Sequence, residues 1–229
     1  MIKNYDEFVA KLLKAGFSMG GGNDGGIFTV IPYGWNAQEE GPLRWHSDDP
    51  ETDPWQWRMR VLEERQDIAY GKVFFRKGGY ITQELSPFFI AARRKGRNFE
   101  DAYQDGLMSD FSRRIFNLLK REGPLPAHDI RRLGGFGKEE ARKFEGALVD
   151  LQMGLFINIC GRRRKRSKTG EEYGWHSTVL CTAEEFWGEE IFNQAEKVSP
   201  EEASSRILER IMRLNPQAQE AKALKFIRG

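Results

Sequence analysis

A chain of 229 residues, 39% hydrophobic and 31% charged, has enough apolar material for a core and suits one large domain or two small ones, which excludes a disordered protein. The formal net charge is only +2, so affinity for nucleic acid has to come from a local patch and not from the overall field. No stretch approaches the ~20 continuous apolar residues of a membrane span, and Cys160 and Cys181 form neither a CxxC pair nor part of a ligand cluster, so a reduced, cytoplasmic protein with no metal, no cofactor and no membrane partner is expected.

The N-terminal MIKNYDEFVAKLL has acids where a signal peptide carries a basic flank. Asn4 and Glu7 have capping spacing, Phe8, Leu12 and Leu13 follow at helical intervals, and Gly16 ends the helix. In GFSMGGGNDGGIFTVI, Gly20, Gly22 and Gly25 spell GxGxxG. That motif binds a dinucleotide only between a strand and a helix. Here it follows a helix, so a flexible turn leading into a strand over IFTVI is expected. Asp53-Pro54 begins a second helix that runs to about Tyr70, with Pro at its first position. GKVFFRKGGYIT predicts a strand pair around Gly78-Gly79, Ser86-Pro87 begins a helix over FFIAARR, and a shorter helix covers FEDAYQDG.

From Ser109 the pattern changes. SDFSRRIFNLLKREG places Phe111, Ile115, Leu118 and Leu119 on one helix face; PAHDIRRLGGF is a short helix closed by two glycines. KEEARKFEGALVDLQMG is a longer helix with Ala141, Phe144, Leu148 and Leu151 inward, and LFINICG and YGWHSTVLC are strand-like. Thr182 and Glu185 cap TAEEFW, and Ser199-Pro200 opens an amphipathic helix with Ile207, Ile211 and Leu214. The expected fold is α+β and mainly helical. It divides into an N-terminal α+β portion (1–108), a winged helix-turn-helix of three helices and a β-hairpin wing (109–187), and a C-terminal amphipathic helical extension (188–229).

Two segments carry candidate chemistry. Six of the seven residues from Arg162 to Lys168 are basic: Arg162, Arg163, Arg164, Lys165, Arg166 and Lys168. At the tip of a wing they would lie along the phosphate backbone of DNA and displace counterions. A solvated loop is a second reading of such a run, and a nuclear address a third that nothing else in the sequence supports. The third helix argues against base reading: Lys138, Arg142 and Lys143 stand against Glu139, Glu140, Glu145 and Asp150, and acids repel phosphates, so backbone contacts are expected to dominate. The second segment is RWHSDDPETDPWQWR, which gathers Trp45, His46, Asp49, Asp53, Trp55, Trp57 and Arg58 within fourteen residues. It reads either as a pocket for a planar group with His46 and a carboxylate as acid and base, or as a capped helix, Asp53 at its start, anchored by tryptophans.

HSDDPETDPWQWRMRVLEER, GKVFFRKGGYI, RRLGGFGKEEARKFEGALVDLQMGLFINICG and GEEYGWHSTV together resemble the AlkZ-related family of small bacterial proteins, over about residues 45–187. The resemblance implies kinship with winged-helix DNA glycosylases that unhook crosslinks and excise alkylated bases, placing the hydrolytic water with a Gln-x-Gln motif. The Gln-x-Gln of this chain, Gln217-Ala218-Gln219, follows Pro216 outside those segments, in a polar tail. Three functional readings result: a DNA-binding protein linked to repair that contacts the backbone through a basic wing, a glycosylase-like hydrolase with a site near the Trp-rich segment, and a non-catalytic module binding a protein partner or a second copy.

Overall fold

In a computed structural model, residues 2–21, 27–31, 41–167 and 169–229 are described, Arg166 by its backbone alone. Gly22 and Gly25 of the glycine-rich stretch, and Lys168 of the basic run, lie outside the described residues. The fold is α+β, with two small antiparallel sheets of three strands each.

The first sheet belongs to the N-terminal portion. Helix α1 (Tyr5–Ala15) starts where the Asn4 side chain accepts from the Glu7 N–H and ends at Gly16, whose φ of +89° suits glycine. Strand β1 (Phe17–Met19) follows at once. The expected strand over residues 27–31 is absent. Ile27, Val30 and Ile31 are buried, but the Val30 N–H donates to the Ser18 hydroxyl at 2.9 Å, so a side chain stands in for a ladder partner. Helix α2 (Pro54–Glu64) stops short of Tyr70. An Arg65–Asp67 fork of 2.8 and 2.6 Å holds the turn after it, and Tyr70 lies in β2 (Ile68–Phe74).

Strand β3 (Lys77–Thr82) pairs with both β1 and β2, and the β2–β3 turn falls on Phe75 and Arg76, with φ of +49° and +61°. It does not fall on Gly78-Gly79. Those glycines lie inside β3, where a Cβ on Gly79 would strike the Phe74 ring and one on Gly78 would sit 2.6 Å from the Tyr70 hydroxyl. Close packing, and not turn chemistry, requires them.

Helices α3 (Ser86–Arg94) and α4 (Phe99–Gln104) lead into the second unit of pattern. There α5 (Asp110–Glu122), a two-residue strand β4 (Leu125–Pro126), α6 (Ala127–Leu133) and α7 (Ala141–Met153) precede a hairpin of β5 (Ile157–Arg166) and β6 (Glu172–Thr182). The three helices and the hairpin follow in the order expected. Strand β4, too short to read from sequence, adds to β6 through Leu125↔Leu180 and Pro126↔Val179.

Short helices α8 (Ala183–Trp187) and α9 (Glu189–Glu196) then carry the chain to α10 (Pro200–Leu214) and α11 (Glu220–Arg228). The C-terminal helical extension thus includes a further helix, α11, after the polar stretch 217–219. Ala223, Phe226 and Ile227 form its buried stripe, and Phe226 stacks on Phe74 at 3.8 Å. Arg93 secures this end: its guanidinium donates to the carbonyls of Val73, Met153, Phe226 and Ile227 at 2.7–3.0 Å. Burial lowers the Arg93 pKa, yet a guanidinium stays cationic at neutral pH. Among the described residues, no helix is long and apolar enough to cross a membrane.

An aromatic cluster links α1, α2 and β3. Phe8 stacks on Trp57 at 5.0 Å and meets Tyr80 edge-on at 5.2 Å, while Tyr5 meets Trp57 at 6.4 Å. Burial, aided by the Glu64 charge, pushes the Tyr5 phenol up to about 12, and burial also holds Tyr80 well above the ordinary tyrosine value. Both phenols thus favour the folded state while neutral, a stability complete below the unfolded pKa of ~10 and lost as pH rises through the folded values. The urea midpoint is expected to hold up to about pH 9.5 and then fall between about pH 10 and 12. An unchanged midpoint across that window would show that these phenols are not held neutral by the fold.

Candidate nucleic-acid interface

The β5–β6 hairpin has an apolar base and a basic outer half. Ile157↔Thr182, Asn158↔Cys181 and Ile159↔Leu180 begin the ladder over the core. Beyond Gly161↔Val179, the pairs Arg162↔Thr178, Arg163↔Ser177, Lys165↔Tyr173 and Arg166↔Glu172 carry the charge. The basic residues from Arg162 to Arg166 therefore lie along strand β5 itself. The tip is the turn closed by Ser167 N–H donating to the Glu171 carbonyl at 2.8 Å.

Regular pleating would send Arg163, Arg164 and Lys165 to alternate faces. The ladder breaks there. Between Arg163↔Ser177 and Lys165↔Tyr173, β5 uses one residue while β6 uses three: Gly174, Trp175 and His176. Gly174 supplies the required left-handed turn, with φ of +74°. Such an irregularity re-aims side chains, and all three cations border one open cleft of about 910 Å³ with Tyr173 and with His128, Asp129 and Arg132 of α6. Asp129 is occupied by Arg132 at 2.7 Å and lies 3.6 Å from His128 Nε2. Arg163, Arg164 and Lys165 have no acidic partner among the described residues. The lining of the cleft is predominantly basic.

The remaining basic residues separate from these. Arg162 turns the other way and pairs with Glu63 of α2 at 2.8 Å. It borders a second cleft of about 490 Å³ with Arg58, Tyr70, Lys72, Gln152 and His176. The Arg166 side chain, like Lys168, lies outside the described residues.

Helix α7 is less available than a base-reading helix would be. The Gln152 side chain accepts from the Lys72 N–H at 2.9 Å, and Asp150 pairs with Arg76 at 2.5 Å, so the β2–β3 hairpin lies along its C-terminal half. The helix starts at Ala141, which leaves Lys138, Glu139 and Glu140 before it. Its own charges, Arg142 and Lys143 against Glu145 and Asp150, cancel. The net-acidic helix expected from sequence is thus a neutral one.

The Trp-rich segment is tightly engaged. Asp53 is fully buried and accepts from the N–H groups of Trp55, His46 and Asp48 at 2.8, 3.0 and 3.2 Å. One carboxylate both caps α2 and closes the loop before it. Trp57 is fully buried, with Nε1 donating to the Pro50 carbonyl at 3.1 Å. Trp55 stays partly exposed, but Arg58 covers its ring at 3.3 Å and the His46 ring lies 4.8 Å away. Asp49 is exposed; bonds from the Thr52 hydroxyl and the Glu51 N–H hold its pKa below the ordinary value. Of these residues, Arg58 borders the second cleft. Asp53→Ala is expected to lower stability by about 2 kcal/mol, since α2 loses its cap and two further loop N–H groups lose a buried acceptor. Thermal unfolding checks this, and Asp53→Asn should retain part of the loss.

The two thiols meet at the base of the hairpin. Cys160 is half-buried and Cys181 buried, and both are free. The Cys160 thiol donates to the Val179 carbonyl and the Cys181 thiol to the Asn158 carbonyl; the neighbouring thiol lowers the Cys160 pKa and, with burial, raises that of Cys181.

Sequence reasoning did not reach His128, Arg132, Tyr173 and Trp175. For the two aromatics a signal was present, the alternating Tyr-Gly-Trp in the return strand beside the basic run. For the α6 residues only the fold shows the proximity. Among the described residues, no group of three or more His, Cys, Asp or Glu is placed to hold a metal ion. No curated protein and no solved structure matches the chain. The family model described as AlkZ related matches residues 2–228, well beyond the segments that carry the resemblance in sequence, and the chain belongs to that family.

Proposed function

We propose that this protein takes part in DNA repair by binding DNA through a winged helix-turn-helix formed by residues 109–187, with β5 as the backbone-gripping strand. Residues 1–108 and 188–229 buttress it from either end of the chain. Membership of the AlkZ-related family supports the link to repair. The observation that carries the binding mode is the set of cations without acidic partners among the described residues, Arg163, Arg164 and Lys165, gathered on one cleft and joined by Arg132. Lysine and arginine so placed neutralise phosphates and release counterions, which provides affinity without sequence preference.

The state of α7 supports the same mode. With its C-terminal half covered and its charges balanced, it offers little to base edges in a major groove. Fluorescence anisotropy with labelled duplexes of unrelated sequence tests the proposal. Dissociation constants equal within about threefold are expected, because phosphate contacts carry no sequence information. Absence of binding even at low salt would overturn it, and strong preference for one sequence would overturn the backbone mode.

A further inference from the structure

Trp175 is 95% exposed and Tyr173 53% exposed, on the strand that returns beside the basic run. A tryptophan with almost its whole surface in water contributes nothing to a core, and the residues around it explain how it is held out. It sits in the three-residue stretch of β6 set against Arg164, directly after Gly174 with its left-handed φ of +74°. The ladder thus breaks where it presents an indole to solvent. Tyr173 stands two residues away, across from Lys165, and borders the basic cleft.

Cations that track a phosphate chain, with aromatic rings beside them, are the combination that binds nucleic acid whose bases are exposed. Each base has a flat π-face, and stacking it on an indole or phenol removes two apolar faces from water. Intact duplex DNA cannot make this contact, because its bases are already stacked and extruding one costs free energy. The cleft's cations would hold either form by its phosphates, whereas the rings distinguish them.

We infer that Trp175 and Tyr173 form a base-stacking platform beside the basic strand, and that the preferred ligand is DNA containing unpaired bases. The inference rests on the reading of β5 as a DNA contact and narrows it to a ligand class. Damaged or mispaired sites, where stacking is already weakened, present such bases.

The test compares three labelled DNAs by anisotropy: an intact duplex, the same duplex with a central unpaired tract, and the corresponding single strand. The wild-type chain is expected to bind the interrupted duplex about tenfold more tightly than the intact one. Trp175→Ala should remove that preference while leaving intact-duplex affinity and the thermal midpoint unchanged, and Trp175→Phe should keep most of it. Equal wild-type affinity for intact and interrupted duplex would overturn the stacking platform and leave the basic-strand reading standing. So would a preference that survives Trp175→Ala. A wild-type chain that binds none of the three DNAs would overturn both.

Discussion

Trp57→Ala is expected to lower the unfolding free energy by about 4 kcal/mol, among the largest effects of any single truncation in this chain. The indole is fully buried, stacks on Phe8 and contacts Tyr5, and its Nε1 donates to the Pro50 carbonyl. Truncation would remove a large apolar surface and leave a cavity between α1 and α2, although the Pro50 carbonyl would keep Arg60 as a donor at 3.0 Å. Trp55→Ala, two residues earlier, should cost less than about 1 kcal/mol, because that ring is partly exposed and covered mainly by Arg58. Chemical denaturation of the two variants checks the contrast. Similar losses at both positions would contradict a Trp-rich segment divided into one core anchor and one surface ring.

Neutralising the basic strand is expected to have the largest effect on binding. Arg163→Gln, Arg164→Gln and Lys165→Gln together are expected to weaken duplex affinity by roughly a hundredfold or more at 0.1 M salt, since each phosphate contact contributes nearly a decade there. The three side chains project into an open cleft and pair with no acid among the described residues, so the fold should be unaffected and the thermal midpoint should stay within a degree or two. Arg162→Gln is different. That residue is tied to Glu63, and its loss should weaken binding far less than any of the three.

The parts of this architecture that follow local rules were legible in the sequence. Asn4, Asp53, Ser109, Thr182 and Ser199 each announce a helix start, and each side chain accepts a backbone N–H in the first turn. What was not legible depends on distant partners. The Gly78-Gly79 pair reads as a turn until Phe74 and Tyr70 are seen to require the space. The C-terminal extension is expected to be helical and amphipathic, but its partner is not legible until Phe226 is found against Phe74. In the candidate site, the basic run was visible as composition, but its division was not. Arg162 faces α2 and Arg163 faces α6 by ordinary pleating, while the break in the β5–β6 ladder after Arg163 lets Arg164 and Lys165 border the same cleft as Arg163.

The salt dependence of duplex binding, measured side by side for the wild-type chain and the Arg163→Gln/Arg164→Gln/Lys165→Gln variant, tests the central claim most directly. If these three side chains neutralise phosphates, the slope of log affinity against log salt should be shallower in the variant by about 2.7, that is about 0.9 for each lost contact. Equal slopes for the two proteins would contradict it, because DNA would then be held by charges elsewhere on the molecule.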